Sequence, residues 1–260
     1  MKVAIIGAGN MGGAIARGMA KGKQVNTEEI WVANPSQGKL DALKGEFPAL
    51  HVTHSNREAT EGAELVILAV KPWLIEQVCK EIDWRAEGQI VGSVAAGISI
   101  ERLSEYTGGK AIFRIVPNTA ISLGQSMTLM ACRGASEEQQ QLMLDIFEEM
   151  GVSMMIPEEK IAATTAMTSC GIAYALKYIQ AAMQAGIEMG VYPKDGMKMV
   201  AQSLKGAAEL ILQNDTHPAV EIDKVCTPGG ITIRGVNTLE EEGFTSALIK
   251  AIKASCPQKS

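Results

Sequence analysis

The run Gly7-Ala8-Gly9-Asn10-Met11-Gly12 directly follows the apolar stretch Val3–Ile6 and opens an amphipathic segment, Met11–Lys21. A lone G-x-G-x-x-G is common by chance. Between a strand-like and a helix-like segment, each glycine has a distinct physical role. Gly7 permits a tight turn, Gly9 lets backbone approach a pyrophosphate, and Gly12 allows close packing of helix on strand. The helix start then offers unpaired N–H groups and partial positive charge to a phosphate. Gly7, Ala8, Gly9, Asn10, Met11 and Gly12 are thus expected to form a dinucleotide seat. A glycine-rich turn without a ligand is the plainer expectation, but it leaves the match of strand, turn and helix unexplained.

The alternation continues through the first half of the chain. Val3–Ile6, Ile30–Ala33, Leu65–Val70, Ile90–Val94 and Ala111–Val116 are short apolar runs rich in β-branched residues, suited to parallel strands buried on both faces. Between them, Met11–Lys21, Gln37–Gly45, Pro72–Ile82 and Ser99–Glu105 read as helices, with Pro72 in a first turn and Ser99 at an N-cap. Met127–Ala131 and Val152–Ile156 are two further strands, separated by a helix that the capping-box pattern Ser136-Glu137-Glu138-Gln139 opens. The fold class is therefore α/β, a Rossmann-type doubly wound sheet.

After Pro157 strand-like runs cease, and the chain becomes rich in Ala, Met and Leu at helical spacing. Two domains are expected, 1–158 and an all-helical 159–260. Ile172, Leu176, Ile179, Met183 and Ile187 form one apolar stripe. One helix from Glu158 to Met189 would be about 45 Å long at 1.5 Å per residue, and part of its face should pack on another subunit.

Composition removes several function classes. The net charge is −5, so no basic field draws nucleic acid or an anionic membrane. The five cysteines are scattered without a C-x-x-C pair, which argues against a disulfide framework or zinc site and for a reducing compartment. His51 and His54 share a short segment and His217 stands alone before a proline, so no metal site is expected. No apolar run is long enough to span a bilayer, and Val3–Ile6 is too short for a signal-peptide core. A cytoplasmic protein is expected.

The end of the second strand bears on the choice of dinucleotide. A unit that binds NAD usually carries Asp or Glu there, accepting from the ribose 2′-hydroxyl. This chain has Ala33-Asn34-Pro35-Ser36, with Lys39 shortly after. Neutral Asn34 and Ser36 do not repel a 2′-phosphate, so NADP(H) is favoured; the usual Arg clamp is missing, and NAD(H) stays open.

Four motifs in order, Ala69-Val70-Lys71-Pro72, Ser93-Val94-Ala95-Ala96-Gly97, Pro117-Asn118-Thr119 and Thr227-Pro228-Gly229-Gly230-Ile231-Thr232, resemble those of pyrroline-5-carboxylate reductases. The last is the most specific. The resemblance implies reduction of a cyclic imine carboxylate to L-proline, the last step of proline biosynthesis. It implies that Asn56, Ala69, Val70, Lys71, Pro72, Ala95, Ala96 and Gly97 line the ribose and nicotinamide. It implies that Asn118 and the loop Thr227, Gly229, Gly230, Ile231 and Thr232 hold the substrate, with Thr232 at the imine nitrogen. It also implies a homodimer through the C-terminal helices, with the loop supplied across the dimer and rings, such as a decamer, built from dimers. The chain departs from the family at Ile172, where proline is common, at Thr227, where serine is usual, and at Ile231, where a small residue is common.

The residues agree with that chemistry. A Gly-Gly turn opening a helix presents N–H groups to a small anion, although as punctuation alone Pro228-Gly229-Gly230 would be an ordinary loop. A protonated imine is already electrophilic, so no shifted general acid is needed, and positioning carries the rate. The nearest rival is a β-hydroxyacid dehydrogenase, which uses a helix lysine as acid/base with an Asn one turn later. Lys177 is near the right place, but Ala181 follows it. A non-catalytic dinucleotide sensor is the alternative from a different class.

Overall fold

A computed structural model of the protein describes residues 1–84 and 88–256. The chain divides into two compact units, Met1–Ser169 and Cys170–Ser260.

The first unit runs β1 (Val3–Ile6), α1 (Asn10–Lys21), β2 (Ile30–Ala33), α2 (Gln37–Glu46), β3 (His51–Thr53), α3 (Asn56–Thr60), β4 (Leu65–Leu68), α4 (Ile75–Glu81), β5 (Ile90–Ser93), α5 (Ile100–Thr107), β6 (Ala111–Val116), β7 (Ser126–Arg133), α6 (Glu137–Glu148), β8 (Gly151–Met155) and α7 (Ile161–Thr168). The strands form one sheet in the order β3-β2-β1-β4-β5-β6-β7-β8. Every neighbouring pair is parallel except β6 and β7.

The unbroken apolar strands are explained by packing on both faces. In β1, Val3 and Ile5 join Ile15, Met19, Phe113 and Phe147 on one side. Ala4 and Ile6 join Ile75, Val78, Ile100 and Leu103 on the other. Ser99 and Ser136 cap α5 and α6 through their hydroxyls, the latter in the expected capping box.

Two features differ from the sequence expectation. β3 and α3 had no counterpart: each is very short, and every residue of β3 is half-exposed, so neither carries a strong period. The single helix expected from Glu158 to Met189 is instead two. The Ser169 N–H closes α7 on Thr165, the Ala173 N–H bonds Cys170 O, and Ser169 Oγ donates to Pro117 O. Ile161 and Ala166 bury α7 within the first unit.

The second unit consists of α8 (Gly171–Glu188), α9 (Pro193–Asn214), α10 (Pro218–Val225), α11 (Ile231–Glu241) and α12 (Phe244–Ala254). Gly190 and Pro193 separate α8 from α9, with Pro193 in the first turn, where its missing N–H is not needed. α8, α11 and α12 contain no buried residue, and α9 buries only Gly196. Leu212 is 74% exposed, Leu176 59% and Ile249 53%. Apolar helices this open have not found the surface they are built to cover.

Candidate dinucleotide and substrate sites

The register of the parallel strands builds the first site. Ile6 pairs with Ala33 on one side and Leu68 on the other, and Leu68 pairs with Ser93. Gly7, Asn34, Ala69 and Val94 therefore leave the sheet along one edge. β1 is where the strand order reverses, and a crevice opens at such carboxyl ends.

The glycines of the turn answer to separate constraints. Gly7 has φ +106°, and a Cβ there would lie 2.6 Å from Ala69 O. A Cβ on Gly12 would lie 1.9 Å from Gly7 O and 2.8 Å from Ala69 Cβ, so a side chain would push α1 off the turn. Gly9 has nothing within 4 Å of that position. It stands at the N-cap of α1 without a side-chain cap, and the first turn carries no acidic residue. The N–H groups of Asn10, Met11 and Gly12 thus have no partner within the helix. The open space over Gly9 and this set of donors fit a pyrophosphate.

Asn34 is 7% exposed. Its Oδ1 accepts from the Ala8 N–H at 3.0 Å and its Nδ2 donates to Ser36 O at 3.2 Å. The amide thus ties the glycine turn to the end of β2. Ser36, exposed, stands at the N-cap of α2 without spending its hydroxyl on the cap. The ring of His54 bonds Asn34 O at 2.9 Å and Gln37 Oε1 at 2.7 Å. No local pattern singles out His54; its position just after β3, beside the end of β2, can be recognised only once β3 is known.

The remaining expected residues are placed as follows. Ala69 and Val70 are half-buried and Lys71 is exposed ahead of a 3-10 turn that Pro72 opens. Ala95 is buried, while Ala96 and Gly97 (φ +77°) are exposed after β5. Asn56 opens α3 and donates to Glu81 Oε2 at 2.6 Å. Asn118 is 5% exposed, and its Oδ1 caps the 3-10 turn after β6 by accepting from the Ala120 N–H.

In the second unit, Thr227-Pro228-Gly229-Gly230 is a type II turn. Gly229 has φ +71°, and the Gly230 N–H donates to Thr227 O at 2.9 Å. A Cβ on Gly230 would lie 2.6 Å from Thr227 Oγ1. Gly230 is the N-cap of α11, again with no side-chain cap and no acid in the first turn. The N–H groups of Ile231, Thr232 and Ile233 are thereby left without helical partners. Thr232 is half-buried and lines a mostly apolar hollow of about 750 Å³ with Ala175, Leu204, Ala208, Ile222 and Val236.

Glu221 also borders this hollow and is 8% exposed. Its carboxylate accepts from Lys224 Nζ at 2.7 Å and Thr216 Oγ1 at 2.5 Å. The Lys224 bond first, then that of Thr216, holds its pKa below the ordinary carboxylate value. Sequence patterning did not mark it. Lys177, the lysine a hydroxyacid dehydrogenase would use, is exposed and donates to Gln180 Oε1. The Cys79 thiol is pushed up to about 12 by burial, so it is no nucleophile. Among the described residues, no group of three or more His, Cys, Asp or Glu is placed to hold a metal ion.

Comparison with known proteins covers both units. Residues 158–260 match the family model for pyrroline-5-carboxylate reductase dimerisation, and residues 2–97 match that for NADP oxidoreductase, coenzyme F420-dependent. The pyrroline-5-carboxylate reductase of Escherichia coli is 33% identical, over 100% of this chain and 97% of that protein. The chain belongs to the pyrroline-5-carboxylate reductase family. Another member, pyrroline-5-carboxylate reductase 1 of Dictyostelium discoideum, is 39% identical over 97% of this chain, which spans about half (48%) of that longer protein. The crystal structure of Plasmodium falciparum pyrroline carboxylate reductase with NADP bound superimposes with a TM-score of 0.86 at 26% identity. That match covers 98% of this chain and 95% of that one. As in the family, the C-terminal helices are the oligomerisation element, which accounts for their uncovered apolar faces.

Proposed function

We infer that this chain reduces L-1-pyrroline-5-carboxylate to L-proline with NADP(H), the last step of proline biosynthesis, NAD(H) being a weaker alternative. The observation that carries this is the Thr227–Thr232 turn at the start of α11, in a chain aligned end to end with a bacterial pyrroline-5-carboxylate reductase. The bound dinucleotide supplies the hydride. Residues Gly7 to Gly12 hold its pyrophosphate through the free N–H groups of α1. Asn34 and Ser36 flank the adenosine ribose, while Asn56, Ala69–Pro72 and Ala95–Gly97 line the remainder of the crevice.

The substrate carboxylate is taken by the N–H groups at the start of α11, where the helix dipole favours an anion. Thr232 Oγ1 bonds the imine nitrogen and holds its proton during reduction. Gly229 and Gly230 shape the turn, Ile231 walls it, and Asn118 fixes the segment after β6. No residue with a strongly shifted pKa is required, because the protonated imine is its own electrophile. Exposed Lys177 lends no support to alcohol oxidation.

The dimer buries the α8–α12 faces, and a ring of dimers such as a decamer extends the same use of these helices. Among the described residues no helix is long and apolar enough to cross a membrane. The free thiols of Cys79, Cys132, Cys170 and Cys226 support a reducing, cytoplasmic setting.

The test is NADPH oxidation at saturating pyrroline-5-carboxylate by the wild type and Thr232→Ala. Turnover should fall by about 100-fold in the variant, with the Kd for NADP⁺ unchanged. NADPH binding without oxidation by the wild type would favour a sensor.

A further inference from the structure

Preference for a 2′-phosphate calls for positive charge near the end of β2, and Asn34 and Ser36 carry none. The geometry of His54 supplies it. Its Nδ1 faces Asn34 O, a carbonyl that only accepts. Its Nε2 faces Gln37 Oε1. The orientation of the Gln37 amide is fixed from its other end, because Gln37 Nε2 lies 2.7 Å from Asp41 Oδ1. A carboxylate accepts only, so the NH₂ must point at Asp41 and the oxygen at His54. Both ring nitrogens therefore face acceptors. A neutral imidazole has one N–H and would set a lone pair against an oxygen, whereas an imidazolium satisfies both contacts.

The ring is exposed, as are Ser36 and Gln37, and it adjoins the segment that holds the adenosine ribose in this fold. We propose that protonated His54 selects a 2′-phosphate over a 2′-hydroxyl, passing its Nε2 proton bond from Gln37 to a phosphate oxygen. The Ser36 hydroxyl and the free N–H groups at the start of α2 complete the pocket. The proposal rests on the NADP(H) assignment above. The charged groups on the flanking elements are Lys39 and Asp41 on α2, with Lys44 and Glu46 in its last turn, and Arg57 and Glu58 on α3. Lys39 and Arg57 favour the phosphate. Asp41 holds the Gln37 amide in place, while Glu58 accepts from Thr53 Oγ1.

The consequence is a cofactor preference that depends on the His54 side chain.

Calorimetric titration of the whole protein with NADP⁺ and NAD⁺ tests this without turnover. At about pH 7, above the second ionisation of a phosphate monoester at about 6, the ratio of the NAD⁺ Kd to the NADP⁺ Kd should be about tenfold higher in the wild type than in His54→Gln, with the NAD⁺ Kd unchanged. His54→Arg should restore the high ratio.

A wild-type ratio retained in His54→Gln would overturn the proposal. Equal loss of both affinities in His54→Gln and His54→Arg would also overturn it, since His54 would then only shape the loop. Failure of the wild type to bind either dinucleotide would bring down the cofactor assignment itself, and this proposal with it.

Discussion

Gly9 and Gly12 lie one helical turn apart and are glycine for different reasons, which makes them separable by mutation. A methyl on Gly12 meets Gly7 O at 1.9 Å and the Ala69 methyl at 2.8 Å, neither of them the far end of a flexible side chain. Overpacking of this kind costs about 1–3 kcal/mol. Gly12→Ala should therefore lower the thermal midpoint of the apoprotein by several degrees, at roughly 2–4 °C per kcal/mol for a unit of this size. Gly9→Ala meets no atom within 4 Å, so its midpoint should stay within about 2 °C of the wild type. Its methyl instead enters the open space proposed for the pyrophosphate, and the Kd for NADP⁺ should rise by about tenfold or more. A Gly9→Ala protein that binds NADP⁺ normally would remove the turn from the cofactor site. The steric demands on Gly7 and Gly12 were legible in sequence because strand, turn and helix are contiguous. The work of Asn34 was not, since its amide bonds Ala8 across 26 residues, and no local pattern announces that pairing.

At the scale of elements, legibility followed periodicity. The bounds of β1, β2 and β6 match the apolar runs residue for residue, since strands packed on both faces are apolar nearly throughout, with half-buried Arg114 of β6, paired to Glu158, the exception. β3 and α3 are short, and the break between α7 and α8 depends on the tertiary bond from Ser169 to Pro117, which helical spacing cannot reveal. α10 presents a similar case. Eight residues are too few for a helix to persist alone, and Glu221 binds Thr216 ahead of it and Lys224 near its end. The turn that carries Thr227 follows directly. Because the folded pKa of Glu221 is held below its ordinary value, its stabilisation is fully present above the unfolded carboxylate value, near about 4.3. It is lost as pH falls through the folded value. The thermal midpoint should therefore drop more steeply for the wild type than for Glu221→Gln between about pH 5 and about pH 3. Parallel curves for the two proteins would show that the carboxylate contributes nothing to the acid response.

For the molecule as a whole, the two units stand in opposite relations to water. Met1–Ser169 encloses two apolar layers on either face of its sheet, with Phe113, Phe147, Ile5 and Ile67 fully buried. In Cys170–Ser260 the stripe Ile172, Leu176, Ile179, Met183 and Ile187 has no buried member. Sequence could identify that stripe and imply a partner for it. It could not show that the unit lacks a core of its own, because periodicity gives the direction of a face and not what covers it. Each large apolar side chain left in water forgoes about 1.5–3 kcal/mol of burial, so folding of this unit is tied to association. The thermal midpoint of the full chain should accordingly rise with protein concentration, and sedimentation should show no folded monomer at micromolar levels. Leu176→Glu, on the stripe, should shift the population toward monomer and lower the midpoint while leaving the Kd for NADP⁺ near that of the wild type. A fragment ending at Ser169 should unfold cooperatively at a midpoint independent of concentration, since its core is complete. If the full chain melted without concentration dependence and Leu176→Glu remained a dimer, the apolar faces of α8–α12 would not be the surface that joins the subunits.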